Sequence, residues 1–272
     1  MNQSEVIELQ NLARKIRCHC LDMVKIGKSG HIGSMLSMPE LLVVLYEKIL
    51  NVDPKNPDMP ERDRFILSKG HGGAALFAVL AEMGFFPLDW LKRYYVDDGI
   101  LHGHISHYIP GVELSTGSLG HGLPVACGMA MAARNQNKKH RVFCLMSDGD
   151  CNAGSTWEAI MLAGQHKFDN LIGIVDYNRL QALGRSEDII NLEPFKEKME
   201  LFGWAVKVID GHSITEIYEA FKTLPLEKGK PTWIIANTIK GKGVKKFENE
   251  FRCHYGVTDE DIETGIKNLM EA

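Results

Sequence analysis

The stretch Arg141–Asn178, RVFCLMSDGDCNAGSTWEAIMLAGQHKFDNLIGIVDYN, decides the fold of this chain. Arg141–Met146 is a short, mostly apolar run typical of a buried strand, and Leu171–Val175 is a second run of the same kind. Ser155–Lys167, which lies between them, is compatible with a helix. The stretch is therefore predicted to be one strand–helix–strand unit of a parallel sheet.

Two side chains that carry oxygen follow the predicted strands of this unit. Asp148 comes just after the first strand, and Asn178 comes just after the second. Open α/β sheets bind ligands at the carboxyl ends of their strands, so these side chains are expected to lie together. Carboxylate and amide oxygens suit Mg²⁺, and Gly149 leaves backbone N–H groups free to face a phosphate. Singly, these residues are also typical of a turn and a cap, but together they predict a metal-bridged diphosphate site.

Composition limits the classes of protein to which the chain belongs. The 272 residues are 44% hydrophobic and 24% charged, as in soluble globular proteins. The net charge of −4 predicts neither a nucleic-acid nor a membrane partner, and no apolar run approaches the ~20 residues of a membrane span. The first residues, MNQSEVIELQ, do not resemble a signal peptide. Six unevenly spaced cysteines are typical of reduced thiols, so a cytoplasmic protein is expected.

Apolar periodicity along the rest of the chain predicts strands that alternate with helices. The predicted helices are Glu5–Ile26, one that begins at Pro39, Gly72–Met83, Leu123–Arg134, Ile214–Leu224 and Thr258–Glu271. The further predicted strands are Phe65–Ser68, Trp204–Ile209 and Thr232–Ala236. This alternation predicts an α/β fold, a parallel sheet with helices on both faces. No linker interrupts the pattern, so residues 1–272 are expected to form a single domain.

Several of the 11 histidines lie in glycine-rich loops, which carry functional groups more often than packed strands do. They are His31 in SGHIGS, His71 in SKGHGG, His102 and His104 in LHGHIS, His121 in LGHG, and His254 near the end of the chain. Imidazole donates or accepts protons near neutral pH, which suits exchange with hydroxyl groups of a substrate. These histidines are therefore candidate catalytic residues.

Zinc is an alternative explanation for the closely spaced His102, His104 and His107, although this group lacks the cysteine or carboxylate partners of a compelling zinc site. His102 and His107 are equally compatible with a solvated surface. Cys18-His19-Cys20 lies within a helical pattern and has no second pair of ligands, so it is interpreted as helix lining.

The segment from Ser147-Asp148-Gly149 to Asn178 resembles the thiamine diphosphate motif, and the sequence around it resembles the amino-terminal part of transketolase. The resemblance implies the thiamin diphosphate-binding fold. It also implies that Asp148, Asn178 and the backbone carbonyl of Leu180 hold Mg²⁺ or Ca²⁺. The N–H of Gly149 is implied to meet the diphosphate of thiamine diphosphate. Ser147 stands where the family motif has its first glycine.

Further stretches resemble transketolase loops in the same order along nearly the whole chain. The resemblance implies that His31 and His104 bind hydroxyls of the donor sugar. It implies that His71 and His254 lie against the diphosphate and relay protons. The residues implied to contact the aminopyrimidine ring of the cofactor belong to the loop Thr116–Gly120 and are Gly117, Ser118 and Leu119.

Two positions within the segment from Ser147 to Asn178 bear on communication between the active sites of an assembly. Ala153 stands where many transketolases carry a glutamate of an acidic network that links the sites. Glu158 is retained, and the resemblance places it with the cofactor-binding residues, near the catalytic glutamate of the partner. The hypothesis is that the missing carboxylate at Ala153 weakens communication between the sites.

Transketolase has further domains that this chain does not resemble. In the family, the second domain supplies the glutamate that activates the cofactor, so the chain alone is predicted to be inert. It resembles the amino-terminal subunit of a split transketolase, whose partner is a carboxy-terminal subunit with the pyrimidine-binding domain. The implied assembly is α2β2. The implied reaction transfers a two-carbon ketol unit from a ketose phosphate to an aldose phosphate.

Other functions remain compatible with the residues. One is a split transketolase for an unusual sugar, either branched or sulfonated, and another is a carboligase like deoxyxylulose-phosphate synthase. The Lys240–Gly243 stretch suits both classes, but the loop before Gly117 looks like that of transketolase. The third is a non-catalytic scaffold subunit, which the retained Asp148 and Asn178 argue against.

Overall fold

The computed structural model describes residues 1–271, and within them five strands form one sheet. The strands are β1 (Arg64–Leu67), β2 (Val142–Ser147), β3 (Leu171–Tyr177), β4 (Ala205–Asp210) and β5 (Thr232–Asn237). Their order across the sheet is β1-β2-β3-β5-β4, and all neighbours are parallel. The predicted parallel sheet is confirmed.

Helices cover both faces of the sheet, as predicted. They are α1 (Gln3–Gly27), α2 (Ile32–Leu36), α3 (Pro39–Val44), α4 (Gly73–Glu82), α5 (Gly122–Asn135), α6 (Gly154–His166), α7 (Ser186–Ile189), α8 (Phe195–Leu201), α9 (Ile214–Phe221) and α10 (Asp259–Glu271). Alternate residues of β2 enter opposite cores, because side chains alternate along a strand. Phe143 and Leu145 pack with α1, α3, α4 and α9, whereas Cys144 and Met146 pack with α5, α6 and α8.

The predicted helix boundaries are close to the observed ones, and the differences have local causes. Helix α1 begins before Glu5 because Asn2 and Glu5 form a capping box, with the side chain of each accepting from the backbone N–H of the other at 2.9 Å. Helix α9 ends at Phe221, short of the predicted Leu224, which precedes a proline and is disfavoured in a helix for that reason.

The ends of β2 and β3 place the predicted metal ligands at the same edge of the sheet. Ser147 pairs with Asp176 in the strand register, so the two strands end together. Asp148 comes directly after β2, and Asn178 comes directly after β3. Residues 95–121 form a long irregular segment up to the start of α5, and this segment is attached to β1 because Thr116 Oγ1 donates to the Leu67 carbonyl at 2.6 Å.

Cys18-His19-Cys20 lies within α1, which confirms its interpretation as helix lining. Cys20 is buried in the core, where burial raises the pKa of its thiol, and His19 Nε2 lies 2.7 Å from Glu82 Oε1. All six cysteines are free thiols in the described chain. Between residues 1 and 271, the structure contains no helix with the length and apolar character needed to cross a membrane.

Candidate active site at the carboxyl edge of the sheet

Neighbouring strands deliver polar side chains to one cavity. His71 follows β1, Asp148 follows β2, Asn178 follows β3 and Lys240 follows β5. Because these strands are parallel and adjacent, their carboxyl ends open at the same edge of the sheet. The cavity there has a volume of about 320 Å³, which is within the range of small-molecule sites.

Asp148 is a buried carboxylate at the floor of this cavity. Its side chain is 2% exposed, and its oxygens accept hydrogen bonds from Ser186 Oγ at 2.5 Å and from the Gly149 N–H at 2.9 Å. Both donors are neutral. Burial raises the pKa of Asp148 above its ordinary value, although the hydrogen bond from Ser186 opposes the rise. A cation bound at this carboxylate would remove the cost of its burial.

Asn178 and Leu180 complete the oxygen set that the sequence predicts. Asn178 Oδ1 accepts from the Leu180 N–H at 3.1 Å, which fixes the turn after β3. The Leu180 carbonyl accepts from Lys240 Nζ at 2.7 Å, so this oxygen already attracts a positive charge. Asp148, Asn178 and Leu180 all line the cavity.

The donor chemistry fits a hard divalent cation. A carboxylate, an amide and a backbone carbonyl are the oxygen ligands that Mg²⁺ and Ca²⁺ take in proteins. In residues 1–271, no three histidine, cysteine, aspartate or glutamate side chains are grouped so as to hold a metal ion. The zinc alternative for His102, His104 and His107 therefore finds no support in the structure.

The four candidate histidines lie together on the wall of the cavity. The ring of His31 lies 5.4 Å from the ring of His71, 5.8 Å from that of His104 and 4.5 Å from that of His254, measured between centroids. His31 adopts a left-handed backbone conformation with φ of 68°, which is uncommon outside glycine and recurs at functional sites. Its N–H donates to the His254 carbonyl at 2.8 Å, and this bond holds the two loops together.

Three of these imidazoles are held in the neutral form. Burial, reinforced by the neighbouring His254 and His104, lowers the pKa of His31 to about 4. Burial and the ammonium of Lys69 lower the pKa of His71 well below its usual range, and burial and Lys240 lower that of His254. A neutral imidazole has one donor and one acceptor nitrogen, so each ring is able to exchange a proton with a ligand hydroxyl.

The structure separates the residues that the resemblance assigns to ring binding. Gly117 and Leu119 line the cavity, and Gly117 lies beside the His104 ring. Ser118, between them, is exposed. Glu158 is also exposed, on the outer surface of α6, and it lies outside the cavity. Glu158 therefore makes no contact with the cavity within this chain.

Lys240 and Lys69 were not predicted from the sequence as residues of the site. Lys240 is 2% exposed and projects into the cavity from the glycine-rich loop after β5. The available signal was a lysine in a glycine-rich loop after a predicted strand. That this strand, β5, lies next to β3 is visible only in the sheet. Lys69 is fully buried and pairs with Asp176 of β3, and its Nζ donates to the Ser34 carbonyl at 3.0 Å.

The pair of Lys69 and Asp176 orders the segment that carries His71. Asp176 also accepts from Ser37 Oγ at 2.5 Å and from the hydroxyl of Thr238, so β1, β3 and β5 meet at this carboxylate. Burial alone would raise the pKa of Asp176, but the adjacent ammonium and the hydrogen bonds lower it below its usual range. The carboxylate is therefore ionised, and the ion pair holds the loop after β1 against the sheet.

Comparison with known proteins places this geometry in a family. The family model "Transketolase, thiamine diphosphate binding domain" matches residues 9–269. The chain is 41% identical over 267 residues to an apulose-4-phosphate transketolase subunit from Actinobacillus succinogenes, covering 97% of this chain and 96% of that one. It is 41% identical over 251 residues to the 6-deoxy-6-sulfo-D-fructose transketolase subunit SqwG of a Clostridium species, covering 91% of this chain and 90% of that one.

Larger transketolases match over only part of their length. The chain is 36% identical over 254 residues to the transketolase of Rattus norvegicus, covering 93% of this chain and 40% of that protein. The crystal structure of transketolase from Campylobacter jejuni superposes with a TM-score of 0.92 at 34% identity, covering 99% of this chain and 43% of that chain. The matched relatives, the fold and the cavity agree, and the chain belongs to the transketolase family through its thiamine diphosphate-binding domain.

Proposed function

We propose that this chain is the amino-terminal, diphosphate-binding subunit of a thiamine diphosphate-dependent transketolase, active only with a partner subunit. The observation that carries the proposal is the single cavity shared by Asp148, Asn178 and four loop histidines. The chain spans 96% of the transketolase subunit from Actinobacillus succinogenes but 40% of a full-length transketolase. Residues 1–272 would form one domain of the complete enzyme.

Three oxygens of the chain would hold Mg²⁺ or Ca²⁺ in this proposal. They belong to the Asp148 carboxylate, the Asn178 amide and the Leu180 carbonyl, which line one cavity. The Gly149 N–H, at the first turn after β2, would donate to the diphosphate, and Lys240 would neutralise part of its charge. When bound, thiamine diphosphate supplies an electron sink that permits cleavage beside a ketose carbonyl.

The histidines would bind the sugar and move protons. His31 and His104 would exchange hydrogen bonds with the donor hydroxyls, and their rings lie 5.8 Å apart across the cavity. His71 and His254 would lie against the diphosphate and relay protons there, and each neutral ring offers one donor and one acceptor nitrogen for that exchange. Gly117, Ser118 and Leu119 would contact the aminopyrimidine ring, and Glu158 would face the partner subunit.

The partner would be a carboxy-terminal transketolase subunit with the pyrimidine-binding domain. Support comes from the relatives named as subunits and from the share of full-length transketolase that this chain leaves unmatched. Two copies of each chain would give a symmetric α2β2 assembly that acts on sugar phosphates. A cytoplasmic location is proposed because the six cysteines are free thiols.

A second candidate function is a split transketolase for an unusual sugar. It is favoured by relatives that are named for apulose-4-phosphate and for 6-deoxy-6-sulfo-D-fructose, each 41% identical to this chain. The reaction class is the same, and only the donor differs. A panel of ketose phosphates, apulose-4-phosphate and the sulfonated ketose, assayed with the complete enzyme, would rank the donors by kcat/KM.

An equilibrium titration with thiamine diphosphate and Mg²⁺, with and without the partner subunit, tests the proposed function. We expect saturable binding that requires the metal, and ketol transfer only when both subunits are mixed. Asp148→Ala should abolish metal-dependent binding in the mixture. Binding by the Ala variant as tight as that of wild type would overturn the metal assignment, and a wild-type mixture without a cofactor response would favour a scaffold.

A further inference from the structure

Asp150 is a buried carboxylate for which the proposed chemistry has no use. It lies in the short 3-10 turn Asp148–Asn152 and is fully buried. One oxygen accepts from Ser68 Oγ at 2.6 Å and from the Gly120 N–H at 2.9 Å. The other accepts from the N–H and the hydroxyl of Ser147, at 2.8 Å and 2.9 Å. The carboxylate is therefore fully bonded to neutral donors.

The donors come from three segments that meet at the cavity. Ser68 follows β1, Ser147 ends β2, and Gly120 closes the loop that contains Gly117 and Leu119. The Ser68 hydroxyl also accepts from the Gly122 N–H at 3.1 Å, which extends the connection to the first residue of α5. One side chain thus joins the loop over the cavity to the strand that presents Asp148.

We propose that Asp150 is a positioning residue that sets the distance between the loop Thr116–Gly120 and the metal site at Asp148. The role rests on the proposed function, since the loop is there assigned to the ring of the cofactor and Asp148 to its diphosphate. The carboxylate fixes how far apart the two ends of the bound cofactor are held. Asp150 itself contacts neither end.

The loop is attached at its two ends, Thr116 and Gly120, and Asp150 is the acceptor for the N–H at the Gly120 end. Thr116 is bonded to the Leu67 carbonyl, and the Gly120 carbonyl accepts from Ser155 Oγ at 2.7 Å. Gly120 has φ of 81°, and a Cβ there would lie 2.3 Å from the Cβ of Ala153, so the loop turns in close contact with the start of α6. Without Asp150, the Gly120 N–H would be a buried donor with no acceptor, a costly state.

An amide cannot replace the carboxylate at this position. Asn presents one acceptor oxygen and one NH₂ group, whereas the site offers a backbone N–H to each carboxylate oxygen. In either orientation, the NH₂ group would face the N–H of Gly120 or of Ser147. The substitution Asp150→Asn therefore removes one of these contacts while it preserves the shape of the side chain.

Hydrogen exchange on the chain alone tests the positioning role without any cofactor. Within residues 116–120 we expect the Gly120 amide, which donates to Asp150, to exchange about tenfold faster or more in Asp150→Asn than in wild type, because its buried hydrogen bond is lost. The control is Asp63→Asn at the opposite edge of the sheet, where a carboxylate that is 4% exposed accepts from the N–H groups of Asn51 and Arg141 and also pairs with the Arg141 guanidinium at 2.6 Å. The control should leave exchange in residues 116–120 unchanged.

A second experiment measures ligand binding by the complex with the partner subunit. Asp150→Asn should weaken the binding of thiamine diphosphate by about tenfold or more. It should weaken the binding of inorganic pyrophosphate with Mg²⁺ by less than about twofold. A residue that only stabilises the fold would lower the melting temperature without changing this ratio, as expected for Asp63→Asn. If Asp150→Asn does not fold, Ser68→Ala removes the neighbouring donor and is expected to show the same changes.

The outcomes are distinct. Wild-type exchange in residues 116–120 of the variant, or equal weakening of both ligands, would overturn the positioning role. If wild type binds neither ligand, the proposed function fails, while the exchange measurement still decides whether Asp150 holds the loop.

Discussion

Lys240 shows how a single residue changes the chemistry of the cavity. Its ammonium is nearly buried and donates to the Leu180 carbonyl at 2.7 Å, beside the buried carboxylate of Asp148. The lysine ammonium and a metal ion would bind to the same group of oxygens of the chain. Oxygens of a diphosphate would complete this group. Lys240 is therefore expected to contribute to diphosphate binding rather than to proton transfer.

Lys240→Ala should weaken thiamine diphosphate binding in the assembled enzyme by about 10- to 100-fold, the value of a charge-assisted contact of about 1.5–3 kcal/mol. The control is Lys242→Ala in the same loop, where the ammonium lies 3.8 Å from Glu248 Oε1. Isothermal titration of both variants measures the effect. Equal affinities for the two variants would contradict the role of Lys240.

The neutral histidines predict a pH dependence of stability. In the folded chain the pKa of His31 is about 4, compared with an ordinary value of 6.5, and those of His71 and His254 are also lowered. Below about pH 6.5 the unfolded chain binds more protons than the folded one, so stability falls as the pH is lowered. The loss continues until the folded pKa values are reached.

His31→Asn should reduce this pH dependence, because asparagine tolerates the left-handed backbone and does not titrate. Urea unfolding between about pH 7 and about pH 5 measures the slope for wild type and variant. His102→Asn controls for the loss of an exposed imidazole. A variant that loses as much stability as wild type over this range would show that His31 does not bind a proton on unfolding.

At the residue scale, the sequence predicted the residues that line the cavity better than the residues that support them. Asp148, Asn178 and the loop histidines follow strands or lie among glycines, so their positions follow from the order of elements. Lys69 and Asp176 give no such signal, since a lysine after a strand and an aspartate within one are ordinary on a surface. Only the packing of the loop after β1 against α2 and the end of β3 shows that they are a buried pair.

At the element scale, a glycine of helix α6 shows how closely this helix packs against the segment before β4. Gly164 of α6 lies against the segment before β4, and a Cβ built on it would be 1.9 Å from the Phe202 carbonyl oxygen. Gly128 of α5 is exposed, and a Cβ there would meet no atom within 4 Å. The two glycines are thus a matched pair, one in contact with backbone and one open to solvent.

Gly164→Ala should lower the free energy of unfolding by about 1–3 kcal/mol, because the backbone at Phe202 must move. Gly128→Ala should raise it by about 0.5–1 kcal/mol, because alanine favours the helix. Urea unfolding of the two variants and of wild type provides the values. A stabilising Gly164→Ala would show that α6 does not pack against this segment as described.

Most elements could be predicted from the sequence, but three short helices could not. Continuous apolar runs predicted the buried strands β2, β3 and β5, periodicity predicted α1, and the bounds predicted for α4, α5 and α6 agree with the observed ones to within a residue. Helices α2, α7 and α8 have 5, 4 and 7 residues, too few for a periodic pattern. Their conformation depends on the contacts of the folded chain, such as the burial of every residue of α2.

At the scale of the whole molecule, the proposed function makes the cavity of this chain one half of an active site. The cavity is open, and Glu158 and the neighbouring face of α6 are exposed on a chain that corresponds to 40–43% of full-length transketolases. The order of strands, β1-β2-β3-β5-β4, could not be read from the sequence, because crossovers of similar length permit several orders.

Assembly gives a prediction at this scale. Light scattering of the mixed subunits should give the mass of two copies of each chain, and ketol transfer should appear only in that species. The chain by itself should be inactive with every donor at saturating thiamine diphosphate and Mg²⁺. Turnover by the isolated chain would contradict the assignment of the activating group to the partner.

A crystal structure of the two subunits with thiamine diphosphate and Mg²⁺ would locate both the metal and the diphosphate. We expect the metal about 2.1 Å from oxygens of Asp148, Asn178 and the Leu180 carbonyl, with the diphosphate bound to it. A diphosphate bound away from these residues, with the cavity at the edge of β2 and β3 filled by solvent, would contradict the proposed function.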